Sequence, residues 1–195
     1  SVTQSIADMG DFIFRNNKSW EQEIEALVQY AVDYQFARRF VILNTKSREG
    51  ELKMSYFWDH IKHLGKTINN VESYEEQQRS FVKEFDVFTG RNRYFSPDDR
   101  ALMEAFEEKP EKTHDFDALF ISLEARNFRD LPVILPYLGV YGMETTVLLG
   151  DNGWNNSSLI YYGDKIASQP IIADDYFKQS SEQPMKEFLK LHERY

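Results

Sequence analysis

Cysteine is absent from all 195 residues, so disulfide bonds, thiolate catalysis and cysteine-ligated zinc are excluded. A chain without cysteine suits a reducing compartment and a periplasm equally, so this absence does not decide the location. Long apolar runs are also missing, since none approaches the roughly 18 residues that span a bilayer. Residues 1–10 lack a basic segment followed by an apolar one. We therefore expect any signal peptide to have been removed or to lie outside this sequence.

Positive charge is scarce: 23 lysine and arginine residues stand against 32 aspartate and glutamate residues, a formal net charge of −9. Nucleic-acid binding depends on basic side chains that neutralise phosphates, and the sequence shows no basic stripe. The densest basic cluster, Lys46, Arg48 and Lys53, is interrupted by Glu49 and Glu51. The sequence therefore predicts no nucleic-acid partner, and its acidity also disfavours attachment to an anionic lipid surface. Because no apolar run is long enough, it also predicts no direct insertion into a membrane.

Recognisable catalytic motifs are missing as well. Neither Gly-x-Gly-x-x-Gly nor Gly-Lys-Ser/Thr occurs, so the usual backbone cradles for phosphate are absent. The strained Gly-x-Ser-x-Gly elbow of a serine nucleophile does not occur either. His60 and His63 are three residues apart, but no carboxylate stands beside them at zinc-site spacing, so we interpret them as a solvated helix face. We predict a protein that is not an enzyme and needs neither a cofactor nor a metal.

Helical and strand patterns alternate along the chain. Ser19-Trp20-Glu21-Gln22 has the pattern of a capping box, and the apolar residues that follow it recur at helical spacing as far as Tyr34. The continuous apolar run from Phe40 to Leu43 suits a strand buried on both faces. Further patterns predict helices over 54–64, 128–138 and 185–195 and strands over 68–74, 117–123, 145–149 and 170–173. This alternation predicts a single α/β lobe over 1–195, an open and mostly parallel sheet with helices on both faces.

The segment from 75 to 114 is longer than one crossover between strands needs, and we interpret it as a helical insertion. Part of it is rich in aromatic and basic residues, which is the composition of a binding hot spot. The candidate partner-binding residues are Phe88, Arg91, Arg93 and Tyr94, with Phe85 and Phe95 beside them. The alternative is that the aromatic rings only anchor the insertion to the lobe, and buried rings would favour it.

The most informative stretch runs from Leu148 to Leu159. A strand stops at Gly150 and a polar loop follows, which places four candidate ligand-binding residues at the carboxyl end of a parallel strand: Asp151, Asn152, Trp154 and Asn155. Ligands of open α/β sheets bind at that edge. Trp154 could stack on a ligand or close a cleft. The alternative is that Trp154 packs on the core while the asparagines cap a helix that begins near Ser157.

This loop resembles the corresponding loop of type I periplasmic binding proteins, the leucine/isoleucine/valine-binding-protein-like receptors. Other segments agree in order and spacing: residues 12–16, the helix to Phe36, Arg39 to Leu43, Asp117 to Ile121, Leu135 to Leu138 and Tyr141-Gly142. The insertion after Tyr74 resembles the branch of penicillin-binding protein activators, outer-membrane lipoproteins that regulate peptidoglycan synthases. The resemblance covers only the second lobe of a two-lobed receptor, so we expect this sequence to be part of a longer protein.

The resemblance implies a periplasmic, non-catalytic lobe, with any lipid anchor on a segment outside this sequence. Amino-acid receptors of the family commonly place a ligand-contacting tyrosine where Glu49 precedes Gly50, and often an acidic residue for the ligand amine where Asn152 stands. These departures favour an interaction or sensing module that regulates peptidoglycan synthesis through a protein partner in the cell envelope. The alternative is the substrate-binding component of an ABC transporter, for a small-molecule ligand other than a simple amino acid. Ser47 and Glu49 complete the predicted cleft residues.

Overall fold

Five parallel strands form one sheet in the structure, a computed structural model that describes residues 19–90, 114–143, 145–155 and 170–173. The strands are β1 (Arg39–Thr45), β2 (Thr67–Tyr74), β3 (Ala118–Ser122), β4 (Val147–Gly150) and β5 (Ile171–Ile172). Their order across the sheet is β2-β1-β3-β4-β5, and every neighbouring pair is parallel. The predicted open parallel α/β sheet is confirmed.

The described helices are α1 (Trp20–Asp33), α2 (Arg48–His63), α3 (Val82–Phe88) and α4 (Leu131–Val140). The predicted capping box of α1 is confirmed, because Ser19 Oγ accepts from the Gln22 N–H while the Gln22 side chain accepts from the Ser19 N–H. A 3₁₀ turn over Ala125–Asp130 precedes α4, so Pro132 lies in the first turn of that helix. N–H groups in the first turn have no acceptor within the helix, so the N–H that proline lacks costs no hydrogen bond. None of these described helices is long and apolar enough to cross a membrane.

Helices cover both faces of the sheet. Phe40 and Ile42 of β1 pack with α1 and α2, whereas Val41 and Leu43 pack with α3 and α4 on the opposite face. A central strand that is covered on both sides needs apolar residues at consecutive positions, because successive side chains point to opposite faces. This requirement explains the uninterrupted apolar run that identified β1 in the sequence.

The helix α3 lies within the segment that we interpreted as an insertion. It packs on the sheet face, where Phe85 is 0% exposed and Phe88 is 4% exposed. The Phe85 ring contacts the rings of Tyr137 and Tyr141, and Phe88 contacts Phe116. The predicted partner-binding role of Phe88 is therefore wrong, because its ring anchors α3 to the core.

Several predictions lie outside the described residues. They are the partner-binding roles of Arg91, Arg93 and Tyr94, the insertion between 91 and 113, the helix near Ser157 and the helix over 185–195. These stay predictions from the sequence.

Candidate functional site

The order of the strands places a topological switch point between β1 and β3. The chain leaves β1 through α2 on one face and returns from β2 through α3 on the other, so the two connections run in opposite directions across the sheet. In doubly wound sheets a crevice opens at this point, outside the carboxyl ends of the strands. The loops after β1 and β3 form its rim, and the loop after β4 lies next along the same edge.

Ser47 and Glu124 meet at the switch point. Ser47 is the N-cap of α2, and its Oγ accepts from the Gly50 N–H at 3.0 Å. The same hydroxyl donates to Oε1 of Glu124 at 2.5 Å and lies 3.0 Å from Oγ1 of Thr45. A direct hydrogen bond therefore joins the loop after β1 to the loop after β3. The predicted residue Ser47 is at the candidate site, together with a carboxylate that the sequence analysis missed.

A signal for Glu124 was present in the sequence. The residue follows the strand predicted over 117–123, just as Asp151 follows the strand that ends at Gly150. The carboxyl-end rule that singled out Asp151 applies equally to Glu124, because parallel strands end at the same edge. Glu124 is 8% exposed, so most of its surface is packed against the protein.

Asp151 lies beneath the edge rather than on it. It is 1% exposed, and its Oδ2 accepts from Nζ of Lys53 at 2.9 Å and from Oγ of Ser122 at 3.3 Å. Both carboxylate oxygens also lie 3.2 Å from the backbone nitrogen of Leu123. The predicted direct contact of Asp151 with a ligand is corrected, because the carboxylate is enclosed and ties the loop after β4 to β3 and α2.

Lys53 is the buried partner of Asp151, and Glu49 reaches the same ammonium with Oε1 at 3.0 Å. Burial alone lowers the pKa of Lys53, but the attraction of Asp151 and hydrogen bonds to Asp151 and Glu49 outweigh it, so the pKa is raised. Burial also raises the pKa of the Asp151 carboxyl, against the opposing effects of Lys53, Leu123 and Ser122. We assign Lys53 and Asp151 as charged, because the Asp151 carboxylate accepts from the ammonium of Lys53, the backbone N–H of Leu123 and the hydroxyl of Ser122.

Trp154 belongs to the core. Its ring is 0% exposed, and Nε1 donates to the carbonyl oxygen of Ile121 at 3.0 Å. Gly150 leaves the room that the indole needs, since a Cβ at this position would lie 2.5 Å from the ring. The prediction that Trp154 stacks on a ligand is wrong, and the alternative that it packs on the core describes the structure.

The remaining predicted residues keep surface at the edge. Asn152 is exposed, and its Nδ2 donates to Oε1 of Glu23 on α1 at 3.0 Å. Asn155 is also exposed, and the side chain of Glu49 is 42% exposed beside Lys53. The ligand-binding roles of Asn152, Asn155 and Glu49 stay predictions. Within the described ranges, no group of three or more His, Cys, Asp or Glu residues is placed to hold a metal ion.

Comparisons with known proteins identify the fold. No family model matches the sequence, and no curated protein matches it. A leucine-binding protein from Thermotoga maritima has a TM-score of 0.65 at 16% identity, over 94% of this chain and 45% of that chain. An ABC transporter substrate-binding protein from Sphaerobacter thermophilus has a TM-score of 0.64 at 16% identity, over 96% and 46%. One from Desulfitobacterium hafniense has a TM-score of 0.64 at 19% identity, over 98% and 47%.

The chain thus spans less than half the length of these solved structures, while nearly all of it is matched. At these identities the likeness concerns the fold. The open parallel sheet with helices on both faces is one lobe of a type I periplasmic binding protein fold.

Proposed function

We propose that this chain is the ligand-binding lobe of a non-catalytic periplasmic receptor, and that it contacts a small polar molecule at the carboxyl edge between β1 and β3. The observation that carries the proposal is the hydrogen bond between Ser47 and Glu124. It places a hydroxyl and a carboxylate side by side where the loops of two adjacent strands meet. This is the edge at which doubly wound sheets bind ligands.

The charges at this edge favour a ligand that donates hydrogen bonds. Glu49 and Glu124 supply carboxylates, while the ammonium of Lys53 is occupied by Asp151 and Glu49. Lys46, the residue before Ser47 in the sequence, pairs with Glu75 at 3.2 Å. A neutral polyol or an amine can donate hydrogen bonds to these carboxylates. An anion would be repelled by them, and it would find Lys46 and Lys53 already paired with carboxylates. The same reasoning disfavours a simple amino acid, which carries a carboxylate.

Solved structures with this fold support ligand binding. One substrate-binding protein from Desulfitobacterium hafniense is in complex with Leu, and a solute-binding protein from R. palustris is in complex with benzoate. We therefore infer that the ligand is taken up for an ABC transporter. Regulation of peptidoglycan synthesis through a protein partner stays a prediction from the sequence, because most of the segment that suggested it, 91–113, lies outside the described residues.

The test is thermal unfolding of the protein at its natural length with putrescine, myo-inositol, leucine and benzoate. A ligand at a hundred times its Kd stabilises the folded state by about 2.7 kcal/mol. For a domain of 150–250 residues this corresponds to a rise of about 5–10 °C in the melting temperature. We expect the rise with the amine or the polyol, and we expect S47A and E124Q to abolish it.

The matched controls are S55A and E51Q, which alter exposed residues of the same helix α2. Because S47A also removes a helix cap, the ligand-induced shift is compared within each variant rather than between variants. The proposal fails if S47A and E124Q leave the shift unchanged, or if benzoate stabilises the protein while the amine and the polyol do not.

A further inference from the structure

The amino edge of the sheet, opposite the candidate site, exposes aromatic side chains. Tyr30 and Tyr34 at the end of α1 are 42% and 68% exposed and stack with their ring centroids 5.0 Å apart. Phe36, in the turn that leads into β1, is 78% exposed. We call Tyr30, Tyr34, Phe36, Arg38 and Lys66 the amino-edge patch. None of these five residues belongs to the partner surface that the sequence predicted, which was Phe88, Arg91, Arg93 and Tyr94.

Phe36 has an unusual backbone. Its φ is 57°, in the left-handed region that bulky L-residues rarely adopt and that glycine adopts freely. Phe36 thus exposes a large ring to water while its backbone adopts a conformation that is unfavourable for the stability of the fold. Strained conformations of this kind cluster at functional sites. Neither burial nor a backbone requirement accounts for phenylalanine at this position.

Cationic side chains line a cavity together with Phe36. A cavity of about 670 Å³ is lined by Phe36, Arg38, Arg39 and Lys66, with Asp117 at its wall. The guanidinium of Arg39 pairs with Asp115 and Asp117. Over the ranges that the structure describes, Arg38 and Lys66 make no ion pair. Among the described residues that line it, the cavity therefore carries excess positive charge, in a chain whose formal net charge is −9.

We propose that the amino-edge patch docks an acidic segment of a partner protein. An apolar side chain of that segment packs on Phe36, and its carboxylates pair with Arg38 and Lys66. Exposed tyrosines and an arginine next to an apolar anchor are the composition of a protein-binding hot spot. Two cations in an acidic chain are too few for stable attachment to an anionic bilayer, where each contributes only a small attraction. The same deficit disfavours nucleic acid.

The test uses a fluorescein-labelled synthetic peptide of alternating glutamate and leucine, with its lysine and leucine counterpart as the opposite charge. Fluorescence anisotropy with the full protein should show saturable binding of the glutamate peptide only. Added salt should weaken this binding, because exposed ion pairs are screened. The double variant R38E/K66E should weaken it about tenfold or more. The matched control R79E/K83E makes the same change in net charge at exposed positions before and within α3 and should bind normally.

A second pair of variants separates the patch from the fold. F36G should weaken peptide binding without lowering the melting temperature, because glycine adopts the left-handed backbone without strain. Q77G is the control, since Gln77 is exposed and has a φ of 63° away from the patch. It should leave peptide binding unchanged.

Four results would overturn the proposal. They are no binding of the glutamate peptide, equal binding by R38E/K66E, self-association of the protein that R38E/K66E abolishes, and tighter binding to phosphatidylglycerol vesicles that depends on Arg38 and Lys66. The third assigns the patch to a second copy of this chain and the fourth to a membrane. Ligand binding at the carboxyl edge is measured separately, so failure here leaves the proposed function standing.

Discussion

Replacing Lys53 with methionine tests the buried ion pair at the end of β4. Methionine keeps much of the length of the side chain but removes the ammonium that lies 2.9 Å from Asp151. The carboxylate is 1% exposed, so water cannot replace the lost partner. Breaking a buried pair in this way costs about 3–5 kcal/mol. For a chain of this size the melting temperature should fall by about 6–20 °C.

A double-mutant cycle identifies the pair as the cause. In K53M/D151N the amide oxygen of asparagine can still accept from the Leu123 N–H, while both buried charges are gone. We expect the double variant to lose much less stability than the sum of the single variants, with a coupling energy of about 2–3 kcal/mol. The measurement is urea unfolding followed by tryptophan fluorescence, with circular dichroism as a second probe.

The control is K46M, because the Lys46–Glu75 pair is exposed at 52% and 69%. Such a surface pair contributes only about 0–1 kcal/mol. The reasoning is refuted if K53M is no more destabilising than K46M, or if K53M and D151N are additive.

The pKa of Lys53 makes the same pair sensitive to alkali. Its folded-state pKa is raised above the usual 10.5, so the stabilisation is fully present below about pH 10.5 and is lost as the pH rises through the raised value. Stability of the wild-type protein should therefore fall on the alkaline side. In K53M this part of the fall should be missing, which urea unfolding across the alkaline range would show.

Three further predictions use the same unfolding measurements. Tyr74 is buried with no hydrogen-bond partner for its hydroxyl in the described part of the chain, and burial raises its pKa. Y74F should therefore leave stability unchanged or raise it by up to about 1 kcal/mol, and the variant should lose less stability than the wild type at high pH. Clear destabilisation by Y74F would show that the hydroxyl does have a hydrogen-bond partner. G153A should destabilise by about 1–3 kcal/mol because the new Cβ meets the backbone of Leu123, whereas G139A, with open space around it, should stabilise by up to about 1 kcal/mol. S19A should cost about 1 kcal/mol by removing the cap of α1, and an unchanged midpoint would contradict this.

The elements of the fold were predictable because their signals are local. Ser19 and Gln22 are three residues apart, so the start of α1 follows from a short pattern. The run from Phe40 to Leu43 identified a doubly covered strand in the same way. The order of the strands could not be predicted in this way, because the pairing of β1 with β3 joins segments separated by about 80 residues of chain.

The candidate site was only partly predictable, since burial and pairing depend on distant residues. Lys53 and Asp151 are separated by 98 positions, so nothing near Asp151 in the sequence indicates that its charge is compensated inside the fold. Trp154 stands in a polar loop rich in glycine, and its burial depends on the room left by Gly150 and on an acceptor in β3. The left-handed backbone of Phe36 has no signature in the residue type itself.

The helix α1 spans the sheet from one edge to the other. At its start Glu23 holds Asn152 beside the candidate site, and at its end Tyr30 and Tyr34 form part of the amino-edge patch. Its 14 residues make a rod roughly 21 Å long. A partner that tilts this rod displaces Asn152 at the far end. Any change that such a partner makes in ligand affinity must be matched, factor for factor, by the change that the ligand makes in the affinity for the partner.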